Sequence, residues 1–221
     1  MCEFLKNNNK YIFFKKKKRI LTPNGNFLST NSLSNAKKIM QEINVEKFFN
    51  DPYSVLNLTL FACDLRDKER KMIIQNVIEL IQFDFILYRC FDEKKLLQLL
   101  NKNFNDLIQS FSNIFKIDLI LISEITERQH NLNLKLFNDY LIDLNDSYLT
   151  VIYKLSNVLK SVILSYFFLE GKLDYGELYK LANIENTYQQ KKWGLIDEQK
   201  IVDKEFLMML KNISIFFKNL D

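Results

Sequence analysis

Hydrophobic positions along this chain follow two regimes. Up to about residue 30 they come as short β-prone runs: Tyr11-Ile12-Phe13-Phe14, a basic cluster, then Ile20-Leu21 before Thr22-Pro23-Asn24-Gly25. Aromatic and branched residues bounded by a Pro-Asn-Gly turn signal predict a hairpin and a tight turn. Lysines at its tip would keep the ribbon soluble and discourage edge-to-edge pairing. Beyond Ser32 the period becomes 3.6, with Leu33, Ala36, Ile39, Met40 and Ile43 on one face and Lys37, Lys38, Gln41 and Glu42 on the other. Asp51-Pro52 offers an N-cap and a first-turn proline for a helix reaching Cys63, and Asp67 a cap for the next, with Met72, Ile73, Val77, Leu80 and Ile81 inward. Residues 83–88 have the aromatic and branched character of a short strand, and 117–122 are a second candidate. Between them Asp92 is placed to cap a long helix bearing Leu96, Leu97, Leu100, Phe104, Leu107, Ile108 and Phe111. The remainder reads as helices over 132–142, 147–169, 175–190 and 197–219, with Gly171 as a left-handed stop and Asp174 as the following cap.

This pattern predicts an α+β protein: a small N-terminal β-rich module with an amphipathic helix over residues 1–47, then a mainly helical module with one or two short strands over 48–221. Composition agrees. Four glycines and two prolines in 221 residues disfavour turn-rich all-β architectures and glycine-rich phosphate cradles, while 48% hydrophobic residues suffice for a core. No repeat of 20–50 residues is visible, which argues against a solenoid.

The net charge of +4 is unevenly placed. The first twenty residues hold seven Lys or Arg against one Glu, so they carry +6 and the rest of the chain −2. A nucleic-acid-binding domain would spread its cations over a face of the main fold, so the cluster Lys15-Lys16-Lys17-Lys18-Arg19 reads as a solvated turn and nucleic acid is not expected as a partner. Cys2, Cys63 and Cys90 share no metal-like spacing, and an odd count fits a reducing compartment. The apolar stretch 148–169 is interrupted by Lys154, Ser156, Asn157, Lys160 and Ser161, so a core helix is expected there and no membrane insertion. The start has no apolar secretory core, and its asparagines and acidic residue do not suggest a transit peptide.

Candidate chemistry is sparse. The single histidine, His130, sits among Glu127, Arg128 and Gln129 and reads as a polar surface position. Pairs such as Asp64 with Asp67 and Asp143 with Asp146 lie at segment ends, where aspartate caps helices by default. No Walker loop, dinucleotide fingerprint or His-Glu-x-x-His helix is present. The expectation is therefore no catalytic residues, no metal and no cofactor. Trp193, the only tryptophan, follows Glu185, Tyr188, Gln189, Lys191 and Lys192 and precedes Gly194. A tryptophan amid adaptable polar groups serves equally as a core anchor or as an interface anchor.

Two motifs in this region carry a resemblance. Leu169-Glu170-Gly171-Lys172-Leu173, followed by Ile184, Glu185, Tyr188, Gln189, Trp193 and Gly194, resembles the paired helix-end elements of the Atp12 family, with Lys172 for the usual Arg and Asn186 where a second acid is common. Tyr11 to Pro23 aligns without gaps on that family's N-terminal hairpin, with Lys16 and Lys17 at the turn in place of Asp-Gly. Leu87-Tyr88-Arg89 resembles its central strand end, and residues 51–64 its proline-started helix. Ile43 stands where the family usually has one tryptophan, and Phe104 or a neighbour where it usually has another. The resemblance implies an assembly chaperone for the catalytic head of F-type ATP synthase. Such a chaperone binds the free alpha subunit and shields its interface until the beta subunit replaces it. Glu185, Tyr188, Gln189 and Trp193 would then be partner-binding residues, and the chaperone itself would be a monomer when free. Bacterial cytoplasm would be its location, or the mitochondrial matrix after removal of a presequence. The alternative is a helical regulatory or scaffold module that binds proteins unrelated to ATP synthase.

Overall fold

The computed structural model describes residues 2–90, 92–124, 128–194 and 197–220, so Glu127 lies outside the described residues. It has an α+β fold, an N-terminal antiparallel sheet followed by a mostly helical chain. In order come β1 (Cys2–Asn7), β2 (Lys10–Lys15), β3 (Lys18–Arg19), β4 (Ser29–Thr30), α1 (Leu33–Glu42), α2 (Glu46–Asn50), α3 (Val55–Cys63) and α4 (Asp67–Leu80). There follow α5 (Lys94–Phe115), α6 (Lys135–Asp143), α7 (Asp146–Leu159), α8 (Val162–Leu169), α9 (Tyr175–Ala182), α10 (Ile184–Trp193) and α11 (Asp197–Lys218). The chain forms two compact units, one of residues 1–72, 145–151 and 208–221, the other of 73–144 and 152–207.

In the first unit β2 is the central strand. It pairs with β1 along its whole length, Phe4 opposite Phe13 and Leu5 opposite Ile12, and on its other edge with β3 and β4 in turn. The expected hairpin is present, and its turn is tight. Lys15 pairs with Lys18, and both residues between them are left-handed, Lys16 at φ 50° and Lys17 at φ 64°. That is the backbone of a two-residue type I′ turn, whose twist matches the strands but which suits Asn and Gly better than lysine.

The next turn is held from outside. Asp64 accepts hydrogen bonds from the Thr22 hydroxyl, from the Asn24 N–H at 3.2 Å and from the Asn26 amide at 2.9 Å. Its carboxylate therefore fixes the turn and does not cap a helix. Asp146 likewise pairs with Arg70, while the Asn145 side chain accepts the Tyr148 N–H at 3.0 Å at the start of α7.

Ser32, just before the onset of the 3.6 period, caps α1, but Glu42, placed on the polar face by periodicity, is buried. It accepts the Leu56 N–H at 2.8 Å and faces Lys38 Nζ at 3.6 Å. Burial pushes its carboxyl pKa up, and the Leu56 N–H and Lys38 oppose that rise. A carboxylate at the first turn of α3 meets the positive end of a helix dipole. Ser54, not Asp51, is the N-cap of α3; Asp51 instead accepts from the Tyr53 N–H at 2.9 Å.

The second unit is organised around α8, all of whose residues are buried. Its N-terminus is closed by two side chains. Ser161 Oγ accepts from the Leu164 N–H at 3.1 Å, and Asp84 accepts from the N–H groups of Val162 at 2.7 Å and Ile163 at 3.0 Å. The same carboxylate accepts from Ile86 N–H at 3.2 Å, which bends residues 81–87 into two short 3₁₀ turns where the sequence predicts a strand. Of the two expected central strands one parallel bridge remains, Tyr88 to Ile122. The helix expected over 147–169 is also broken, at Lys160 (φ 54°) and Ser161, and the Lys160 carbonyl accepts from Phe85 N–H at 3.0 Å. Around α8, α5 buries Leu96, Leu100, Phe104, Ile108, Phe111 and Phe115, a stripe at spacings of three and four. Phe111, Phe115, Phe137, Tyr140 and Tyr166 form a mostly edge-to-face cluster, with Phe137 and Tyr140 stacked and ring centroids 4.8–6.1 Å apart. Among the described residues no helix is long and apolar enough to cross a membrane.

Burial raises the Asp84 pKa from its ordinary 3.8 to about 6, despite four hydrogen bonds that favour the anion. Because the folded value lies above the unfolded one, protonation of this group adds stability that is complete below about 3.8 and lost as pH rises through about 6, while the carboxylate keeps its hydrogen bonds above that. The linkage amounts to about 3 kcal/mol. Asp84→Ala, which orphans buried N–H groups, is expected to lower unfolding free energy by roughly 2–4 kcal/mol at neutral pH. Denaturant titrations should show a larger gap between wild type and variant at pH 4 than at pH 7; a gap independent of pH would contradict the assignment. At the hairpin, Lys16→Asn with Lys17→Gly should raise stability by about 1–2 kcal/mol, read from the same titration, because left-handed lysines are replaced by residues that favour the turn.

Candidate functional site

The residues singled out by sequence lie between the end of α8 and the end of α10. Gly171, at φ 69°, terminates α8, and the Lys172 N–H reaches back to the Phe167 carbonyl at 2.9 Å. Lys172 Nζ lies 5.2 Å from the centre of the Phe167 ring, and Glu170 accepts the Tyr140 hydroxyl at 3.0 Å. Asp174 and Glu177 then form a reciprocal capping box at the start of α9. The helix expected over 175–190 is interrupted at Asn183, whose side chain bonds back to the Tyr179 carbonyl at 3.0 Å, and α10 starts anew at Ile184.

No residue of α10 is buried. Glu185, Gln189 and Trp193 recur every fourth position, so they stand on one ridge, and all three are exposed. Trp193 is 78% exposed, which settles its sequence ambiguity against a core role. Tyr188 points elsewhere. Its half-buried ring sends the hydroxyl to Glu93 Oε1 at 2.9 Å, while Lys192 Nζ meets Glu93 Oε2 at 2.8 Å. Glu93 immediately precedes α5, at the position where Asp92 was expected to cap; no side chain caps that helix. Hydrogen bonds from Lys192 and Tyr188 hold the Glu93 carboxyl below its usual range, and the same contacts push Tyr188 and Lys192 upward. Two bonds to one carboxylate thus pin the rear of α10 and set the orientation of its outer ridge.

Within electrostatic range of Glu185 lies Arg89, only 3% exposed and satisfied almost entirely by neutral groups. Its Nε donates to Asn101 at 2.9 Å, Nη2 to Asn105 at 3.1 Å, and Nη1 to the carbonyls of Ile86 and Tyr88. Burial lowers its pKa, and the negative charge of Glu185 opposes that. Neither Arg89 nor Glu93 was picked out by sequence reasoning as a site residue. Asn101 and Asn105, two amides four residues apart beside Phe104, were the signal that the long helix had a polar job on one side.

The arrangement offers surface recognition. A shallow hollow of about 620 Å³ at the start of α5 is rimmed by Lys94, Lys95, Lys191 and Lys192. In the other unit a cleft of about 570 Å³ includes Ile12, Phe27, Cys63 and Tyr148. Burial pushes the Cys63 thiol up, and it donates to the Ser29 carbonyl at 3.2 Å, so it is held as a thiol and not as a nucleophilic thiolate. His130 is exposed, although its neighbour Gln129 is buried and bonds both backbone groups of Ile120. No group of three metal-ligating side chains occurs among the described residues.

Comparison with known proteins gives a consistent set of likenesses. No family model matches the chain. It is 24% identical over 161 residues to the mitochondrial protein atp12 of Schizosaccharomyces pombe, covering 70% of this chain and 55% of that one, so it spans about half the length of this curated relative. The whole chain superimposes on Atp12 of Paracoccus denitrificans with a TM-score of 0.82 at 16% identity, covering 96% of that chain. It also matches a crystal structure from Agrobacterium tumefaciens, that of a protein proposed to be a chaperone, with a TM-score of 0.83 at 17% identity over 84% of that chain. The likeness inferred from short motifs is thus present in sequence and in fold.

Glu93→Gln should weaken both clamping bonds and leave the core untouched. The expected result is faster amide hydrogen exchange confined to α10 and a lower Tyr188 phenol pKa in a spectrophotometric titration, with little change in Tm. An unchanged exchange pattern would show that the clamp does not order the helix.

Proposed function

We propose that this chain, similar to Atp12 in sequence and sharing the fold of the Paracoccus protein, is a chaperone for assembly of the F-type ATP synthase catalytic head. It binds the free alpha subunit and shields its interface until the beta subunit replaces it. The observation that carries this reading is the α10 ridge: a tryptophan 78% exposed, on a helix with no buried residue, beside exposed Glu185 and Gln189. A large aromatic left in water with adaptable polar neighbours is the make-up of a protein-binding anchor. In the same unit Ile201 and Val202 of α11 are also exposed, which adds apolar surface of the kind that marks interaction sites.

A free alpha subunit presents apolar surface destined for beta, and covering it prevents like-with-like association. Release must remain possible, so a few anchors inside a polar rim suit the task better than a large greasy face. Glu185, Tyr188, Gln189 and Trp193 divide the roles: Tyr188 orders the helix through Glu93, and the other three meet the partner. The protein acts without cofactor and without catalysis of its own. It works as a monomer in bacterial cytoplasm, or in the matrix if its source is mitochondrial.

Co-expression with the cognate alpha subunit, followed by size exclusion with mass detection, tests the reading. A soluble complex that dissolves on adding beta is expected; alpha that stays aggregated, with this chain eluting alone, would favour a helical scaffold of other purpose. Glu185→Lys is expected to weaken the complex by well over ~1 kcal/mol, because it reverses a charge on the ridge, while the fold is kept and Tm falls only slightly through the lost attraction to Arg89. Parallel loss of fold and binding would contradict this.

A further inference from the structure

We propose that the hairpin tip Lys15–Arg19 is a docking point for an anionic lipid surface. Five consecutive cationic side chains, Lys15, Lys16, Lys17, Lys18 and Arg19, are all exposed there. None forms an ion pair with a described residue. Two of them occupy left-handed positions, Lys16 at φ 50° and Lys17 at φ 64°, at which lysine is disfavoured relative to Asn or Gly. A turn that needed only to be soluble and tight would be served by Asn-Gly flanked by lysines. Retaining four lysines in succession at a conformational cost points to the charge as the feature in use.

The tip is also not purely cationic. The Arg19 guanidinium lies 4.6 Å from the centre of the Phe27 ring, and Phe27 bridges to Leu21. Phe27 is 48% and Leu21 54% exposed, so an apolar pair is contiguous with the charges. Basic residues beside an exposed aromatic and an exposed leucine match the headgroup boundary of a bilayer, where the cations meet anionic headgroups and the apolar pair enters the acyl margin. A nucleic acid fits less well. The tip charges are confined to one narrow ribbon end, giving a point contact and no groove that tracks a backbone, and residues 21–221 carry −2. Docking here is adsorption and requires no membrane-spanning helix.

Flotation with phosphatidylcholine vesicles, with and without phosphatidylserine, tests this on the full chain. Binding should require phosphatidylserine and weaken as salt rises. Lys15→Gln, Lys16→Asn, Lys17→Gly and Lys18→Gln together should weaken it on the order of 10²–10³-fold, since each lysine near such a surface is worth about 1 kcal/mol. Lys16→Asn with Lys17→Gly alone improves the turn, so a loss of binding in that better-folded variant cannot be a folding defect. Leu21→Ser with Phe27→Ser should weaken vesicle binding at unchanged charge. Equal partition onto neutral and anionic vesicles would overturn the proposal. So would lysine-dependent binding to an oligonucleotide without binding to vesicles, which would assign the tip to nucleic acid.

Discussion

The contact between Asp84 and the first turn of α8 is the constraint on which the second unit depends. Val162–Leu169 is apolar enough to be buried on every side, so the N–H groups that open it cannot reach water. A partner must come from elsewhere in the chain, and a carboxylate supplies three acceptor contacts from one residue. With that end closed, Tyr166 enters the aromatic cluster with Phe111, Phe115 and Tyr140. The same carboxylate shapes residues 84–88, and these carry the carbonyls that receive Arg89. A buried charge is tolerated here because it replaces an otherwise unpaired helix terminus.

Legibility from sequence followed the range of the forces involved. The α5 stripe and the Asp174 cap are local, and periodicity with its flanking residues locates them. Residues 83–88 have the propensity of a strand, yet their conformation is set by hydrogen bonds to Val162 and Ile163, about eighty positions away. Glu42 reads as a surface acid because its partner, the Leu56 N–H, belongs to another helix. At the candidate site the motif residues were legible, but their roles were not. A helix without a buried face gives no periodic signal to distinguish Tyr188, turned toward Glu93, from Gln189, turned outward.

Helix α10 is accordingly unlike the helices around it. Apolar burial is strongly cooperative and resists change, whereas a helix fastened by two hydrogen bonds to one carboxylate has low local stability. On the proposed reading, a recognition element held this way adjusts its angle at little cost when a partner arrives and relaxes when the partner is exchanged. The rigid core formed by α5 and α8 supplies the fixed frame against which that adjustment occurs.

The position of Trp193 also makes the molecule an optical instrument of an unusual kind. The lone indole of a small protein ordinarily reports folding, because unfolding moves it from an apolar interior into water. Here the indole is already in water in the native state. Its emission is therefore nearly silent to denaturation and open to collisional quenchers throughout. A second surface closing over it would change those surroundings, so on the proposed reading the tryptophan emission of this chain reports association better than folding.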